Sequence, residues 1–331
     1  ARLRGTAATV HYLAGEFERA DSLYRSALKS ARQGANPVDA AVSLFNLGNL
    51  LLARGRARHA GERFAQAKQT FDEHGMVTAA LQCQYGIAAT QLHSGHWNEA
   101  LRTFDTVASN LREVGDRRGA AAIDFDAAEL LSGIGADLVA EVHVRRARAE
   151  FSNMGLGVGL ARASALHARV LGRLGRLQEA ASRLSQAATL YQRMGRPDVL
   201  RRLEVESAEI EFRRGQTKGL AQQLGRLQRA LDREDDRPRA LDCRVLRARI
   251  ALAAGRAGRG LEIAREAYQA TRLVPLKPRR PEIAALIAEC HAARGDSRPA
   301  VAWAKRSVRQ LEQFRLQFGG SADALGLEQA Q

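Results

Sequence analysis

Aromatic residues make up only 5% of this 331-residue chain, and prolines number seven. A core built mainly of stacked rings is out of reach, and little in the chain interrupts helices. No run of Val, Ile and Thr alternates with polar residues, so no strand is expected. No apolar stretch approaches the roughly 18 residues that a membrane-spanning helix needs. The three cysteines, Cys83, Cys243 and Cys290, lie far apart without a C-x-x-C pair. That pattern predicts neither a zinc site nor a disulfide framework, and an odd count fits a reducing, cytoplasmic compartment. GxGxxG, P-loop, GxSxG and HExxH motifs are all missing. The sequence GLGVG at 155–159 has no strand before it, so it does not read as a phosphate loop. His93 and His96 are spaced as H-x-x-H, but two ligands do not hold a metal ion. They read as turn residues. No enzyme activity, cofactor or metal is expected from these residues.

Lysine is also sparse. Only five are present, so the formal net charge of +15 is carried almost wholly by arginine. Either a compositional bias toward Arg, or an acidic partner or nucleic acid, accounts for it. Short basic clusters occur at Arg145–Arg146, Arg201–Arg202 and Lys277–Arg280, but no aromatics interleave with them. Nucleic-acid binding therefore ranks last among the partner classes, because base-stacking platforms are missing. The chain opens ARLRGTAATV, without Met and without a visible signal peptide, and reads as a piece of something longer.

What the chain has in abundance is Ala, Leu and Arg, all good helix formers. It also has a period. Glycines fall at 15, 55, 95, 135, 175, 215, 255 and 295, each 40 residues after the last. Seven positions before each one the residue is small: Ala8, Gly48, Ala88, Ala128, Ala168, Ala208, Ala248 and Ala288. Five positions after, it is Ala in most units, with Leu220 and Gly260 as departures. Four further on stands a bulky residue: Tyr24, Phe64, Phe104, Val144, Leu184 or Leu224.

Each unit reads as two antiparallel helices, the first ending at the frame glycine, for example 39–53 and then 57–73. The glycine supplies a left-handed C-cap. A second breaker follows the second helix at Gly34, Gly75, Gly115, Gly155, Gly195, Asp235 and Pro275. Pro37 and Pro197 share the frame position that opens the first helix, where a missing N–H costs nothing. Gly48 is the odd residue, because glycine inside a helix costs about 1 kcal/mol against Ala. Close approach of the first helix to the second, with Ala60 on the facing surface, would offset that cost. One hairpin cannot bury its apolar face alone, whereas stacked hairpins share a core. The units are expected at about 1–36, 37–76, 77–116, 117–156, 157–196, 197–236, 237–276 and 280–315. A linker and the start of a capping helix or further domain would follow at 316–331, with Gly319–Gly320 as the break and Ser321 as N-cap.

This pattern resembles the tetratricopeptide repeat (TPR) in a 40-residue form, through Gly48, Ala60, Phe64 and Ala67, and again through Ala88, Ala100 and Phe104. The family's early tryptophan is absent, since Trp97 and Trp303 fall in second helices. Units six and seven depart at Leu220, Gly225 and Gly260. The resemblance implies an all-α fold, a right-handed α-solenoid of about eight antiparallel helix pairs, with the first helices lining a concave groove. It also implies a scaffold that binds a peptide or helical segment of a protein partner there.

Carried through the frame, the groove positions are Phe45, Asn46 and Asn49, then Tyr85, then Phe125, Asp126 and Glu129. They continue with Arg169 and Arg173, Glu209 and Arg213, and Arg249. Asn46 and Asn49 are either solvated surface or, as in the family, amides that pair with a peptide unit. Phe45, Tyr85 and Phe125 form either inter-repeat core or an apolar strip. The arginines form either a salt-bridged face or a site for an acidic peptide.

The last helix, with Glu312 and Arg315, resembles the segment that joins TPR arrays to a caspase-like CHAT peptidase domain. Any catalytic residues of such a domain would lie beyond Gln331. Three readings follow: a regulatory or sensory binding scaffold of a larger bacterial protein, an autoregulatory arm of a C-terminal CHAT peptidase, and a basic nucleic-acid-binding solenoid.

Overall fold

In the computed structural model, residues 2–271 and 279–318 are described, with side chains over 3–271 and 279–312. These residues form sixteen helices and no strand. Eight of the helices make a first compact unit that ends at Gly155. They are α1 (Arg2–Leu13), α2 (Phe17–Gln33), α3 (Pro37–Ala53), α4 (Ala57–Glu73), α5 (Val77–His93), α6 (Trp97–Glu113), α7 (Arg117–Gly133) and α8 (Asp137–Asn153). A second compact unit starts at Leu156. It holds α9 (Gly157–Arg173), α10 (Leu177–Arg193), α11 (Pro197–Arg213), α12 (Leu220–Arg233), α13 (Arg237–Ala253), α14 (Ala257–Ala270), α15 (Arg279–Ala293) and α16 (Ser297–Phe318). Within each unit consecutive helices pack in pairs, and each pair packs on the next. Among the described residues no helix is long and apolar enough to cross a membrane.

The turns keep the 40-residue period. All eight frame glycines hold positive φ, between 71° and 83°. A side chain there would crowd its own backbone, which is why glycine recurs. The second breaker is shifted by one in the first hairpin. Gly34 has φ −83°, and the left-handed residue is Ala35, at φ 49°. The frame position is the one after Gly34, and alanine fills it at a cost of about 1–2 kcal/mol. Asp235 takes the same role at φ 56°. Pro275 and Lys277 lie outside the described residues, as do Gly319–Gly320, Ser321 and the linker that follows. Pro37 and Pro197 open α3 and α11 as expected, and Asn36 caps α3 by accepting from the Asp39 N–H at 2.9 Å.

The explanation of Gly48 differs from close approach to Ala60. A methyl on Gly48 would sit 2.6 Å from the ring of Phe64, and one on Gly86 would sit 2.8 Å from the same ring. Phe64, on α4, is fully buried between α3 and α5. Burying such a ring stabilises by about 1.5–3 kcal/mol, more than the glycine costs. Close backbone approach is found instead at the equivalent pair in α13 and α14, where Gly260 leaves only 3.2 Å to the Ala248 carbonyl oxygen.

Unit six departs where its sequence departs. Gly219 adopts φ 74°, and α12 starts only at Leu220, three residues later than its counterparts, with 14 residues instead of 17. Between hairpins, one frame position pair carries an ion pair twice with its charges exchanged. Arg112 of α6 holds Asp124 of α7, and Asp232 of α12 holds Arg244 of α13 at 2.9 Å. Asp124 is fully buried and also bonds His143 Nδ1 at 2.8 Å, while Arg112 Nε reaches Glu150 at 3.5 Å.

Candidate peptide-binding groove

The first helices of the second unit, α9, α11, α13 and α15, line an open groove of about 420 Å³. Five residues expected from the sequence meet there: Arg169, Arg173, Glu209, Arg213 and Arg249. Their spacing is the reason. Arg169 and Arg173 are four apart on α9, and Glu209 and Arg213 four apart on α11, so each pair shares one helix face.

The groove is a charged lattice over an apolar floor of Ala168, Leu184, Val205, Ile210, Val245 and Leu246. Arg213 donates from Nη1 to the Gly172 carbonyl at 2.7 Å, tying α11 to α9. Arg249 bonds Glu282 Oε1 at 2.7 Å and lies 3.7 Å from Glu209. Arg279 bonds Glu282 Oε2 at 2.8 Å and also pairs with Asp242. Arg169, Arg173 and Arg213 are exposed, whereas Glu209 and Arg249 are half-buried. Burial pushes the carboxyl of Glu206 above its ordinary range, against the opposing pull of Arg169, Arg202 and Arg239. Burial raises Asp242 as well, with Arg279 pulling the other way.

Glu206, Asp242, Arg279 and Glu282 line the groove and were not anticipated from the sequence. The signal for Glu206 was present, since it stands in the same frame position as Asn46 and Asp126.

The other seven expected residues lie in the first unit. Phe45 packs its ring on Phe64 at 5.7 Å, and Tyr85 packs on Phe104 at 5.5 Å. Phe125 is only 5% exposed. Of the two readings left open, Phe125 is core, whereas Phe45 and Tyr85 are half-buried and lean on the core rings of Phe64 and Phe104. Burial first, then the charges of Asp126 and Glu129, raise the Tyr85 hydroxyl well above its ordinary value. Asp126 is half-buried and Glu129 exposed, so the surroundings of Tyr85 are acidic. Asn46 and Asn49 are both half-buried. Asn46 lines a separate cavity beside α1, together with Val42 and Met76. His93 bonds the Ala89 carbonyl, as a turn histidine does, and no cluster of three metal-ligating side chains occurs among the described residues. Glu312 is exposed on α16, and the Arg315 side chain lies outside the described residues.

No protein-family model matches this chain, and no curated protein matches it. Solved structures do. The apo form of RapI covers 95% of the chain with 98% of its own length, at 11% identity and a TM-score of 0.55. The Rap conjugation gene regulator of plasmid pLS20, solved in complex with the Phr peptide, covers 90% with 80% of its own length, at 15% identity and a TM-score of 0.57. A signal-transduction ATPase with a tetratricopeptide repeat sensor, from Pyrococcus horikoshii, matches 85% of the chain with 43% of its length, at 13% identity and a TM-score of 0.62. The fold is a TPR-type helical repeat. Identities this low carry the fold alone, and a TPR-type stack gains function only from the side chains on its faces.

Proposed function

We propose that this TPR-type chain is a non-catalytic protein-interaction scaffold, and that it captures a peptide segment of a protein partner along the first helices of its hairpins. The observation that carries this reading is the convergence of Arg169, Arg173, Glu209, Arg213 and Arg249 on one groove. Arginine forks match carboxylates in bidentate geometry, so an acidic peptide fits best. The Rap regulator that is similar in fold holds a peptide, which supports the same use here.

The test is a selection from a random peptide library on the immobilised chain, followed by fluorescence anisotropy of the enriched sequences. Enrichment of Asp and Glu is expected, with affinity falling as salt rises. The double variant Arg173→Glu, Arg213→Glu is expected to bind at least ~10-fold more weakly while keeping its helicity. Enrichment without acidic residues would remove the acidic-peptide reading. No enrichment at all would remove the scaffold reading.

The finer reading is a regulatory or sensory region of a larger bacterial protein; the tetratricopeptide sensor of the signalling ATPase supports its sensory part alone. Control of a C-terminal caspase-like effector rests on the sequence at the end of α16 alone. Cytoplasmic placement rests on the cysteine pattern.

A further inference from the structure

Gly48 and Gly86 are accounted for by the ring of Phe64. Gly5, inside α1, has no such reason: nothing lies within 4 Å of where its Cβ would be. Glycine is a poor helix former, and here no packing offsets the loss. In the 40-residue frame Gly5 is the counterpart of Phe45, Tyr85 and Phe125 in the next three units, and of Ala165, Val205, Val245 and Ala285 further on, so the first unit alone carries no side chain there and its three neighbours carry rings.

Beside it the structure has a cavity of about 570 Å³, whose lining includes Gly5, Val10, Val38, Val42 and Met76. Val10, Val42 and Met76 are 62%, 44% and 39% exposed, so an apolar surface faces solvent. The volume lies within the range of about 300–1,000 Å³ typical of pockets that enclose a ligand. The same cavity is lined by Asn46 and by one carboxylate, Asp39. An Asn amide offers both a donor and an acceptor to a peptide unit, and a carboxylate accepts an N–H. Thr6, Thr9 and Ser43 line it as well, and apolar walls with a few polar groups suit a side chain that arrives on a peptide backbone. Asn46 is also one of the groove positions that the TPR resemblance implies.

We propose that this cavity is a side-chain pocket for an aromatic residue of a peptide partner, whose ring occupies the place that Gly5 leaves open. The ligand supplies the ring that units two to four carry themselves. The assignment rests on the peptide-binding reading but uses residues of the first unit, apart from the arginine groove.

The test is methyl NMR of the whole chain, labelled at Val and Met, titrated with N-acetyl-phenylalaninamide, N-acetyl-tryptophanamide and N-acetyl-alaninamide. The two aromatic amides are expected to give saturable shifts at Val38, Val42 and Met76, and the alanine amide none. Gly5→Phe fills the pocket from within and is expected to abolish the shifts. Met76→Glu, at the exposed N-cap of α5, is expected to do the same should Gly5→Phe fail to fold. Arg173→Glu with Arg213→Glu is expected to leave them unchanged. Shifts of equal size with the alanine amide, shifts that survive Met76→Glu, or no shifts at all would overturn the pocket. Shifts of these methyls on concentrating the protein alone would place a second copy there and overturn it too. Binding of the aromatic amides without any peptide enriched in the library selection would count against the peptide reading alone.

Discussion

The ring of Phe64 fills the space that Gly48 leaves on one side and Gly86 on the other, so closely that a methyl on either would stand under 3.0 Å from it. One aromatic side chain thus makes two glycines necessary on neighbouring helices. Gly48→Ala and Gly86→Ala are each expected to destabilise by about 1–3 kcal/mol, the usual cost of overpacking. Combined with Phe64→Leu, either change is expected to cost less than the sum of the single effects. Denaturant melts of the single and double variants measure that coupling.

The buried carboxylate of Asp124, held by Arg112 and His143, predicts a large local effect. Asp124→Ala removes the acceptor that Arg112 and His143 share, leaving Arg112 only its 3.5 Å contact with Glu150, and is expected to cost about 3–5 kcal/mol. Arg58→Ala, which removes the exposed pair with Glu62 at 3.8 Å, is expected to cost less than about 1 kcal/mol. Equal midpoints for the two variants would sink the comparison.

Glu206 gives a pH dependence with a definite sign. Its carboxyl is raised from 4.5 by burial, so the folded chain keeps that proton to higher pH than the unfolded one. The stability this proton contributes is complete below 4.5 and is lost as pH rises through the folded value. Glu206→Gln mimics the protonated form. The variant is therefore expected to gain on wild type as pH rises above 4.5, and to match it below, in urea melts across the acid range.

Burial pushes the thiols of Cys83 and Cys243 up to about 12, and Cys290 is also buried and raised. A thiol reacts as thiolate, so the native chain is expected to resist Ellman's reagent at about pH 8. All three thiols are expected to react once denaturant is added. Prompt reaction of the native chain would contradict this burial.

The groove was legible in part. Arg169, Arg173, Glu209, Arg213 and Arg249 could be placed from the frame, because a period of 40 fixes which helix face each residue occupies. Asp242, Arg279 and Glu282 escaped, because their pairing runs between hairpins more than 30 residues apart and depends on side-chain reach. Phe45, Tyr85 and Phe125 show the same limit. The period put them in one row, but whether rings face a partner or the core depends on Phe64 and Phe104.

By itself the sequence determined the helical hairpin, its 40-residue length and the left-handed turn at each frame glycine. These are local properties, set by φ preference, helix propensity and apolar spacing within a few turns of chain. Only the tertiary structure decided what fills the space beside a missing side chain: the ring of Phe64 at Gly48, a carbonyl at Gly260, and an open cavity at Gly5. A glycine says that no side chain stands at its position. What takes the vacated volume is settled by neighbours that the chain brings in from other helices.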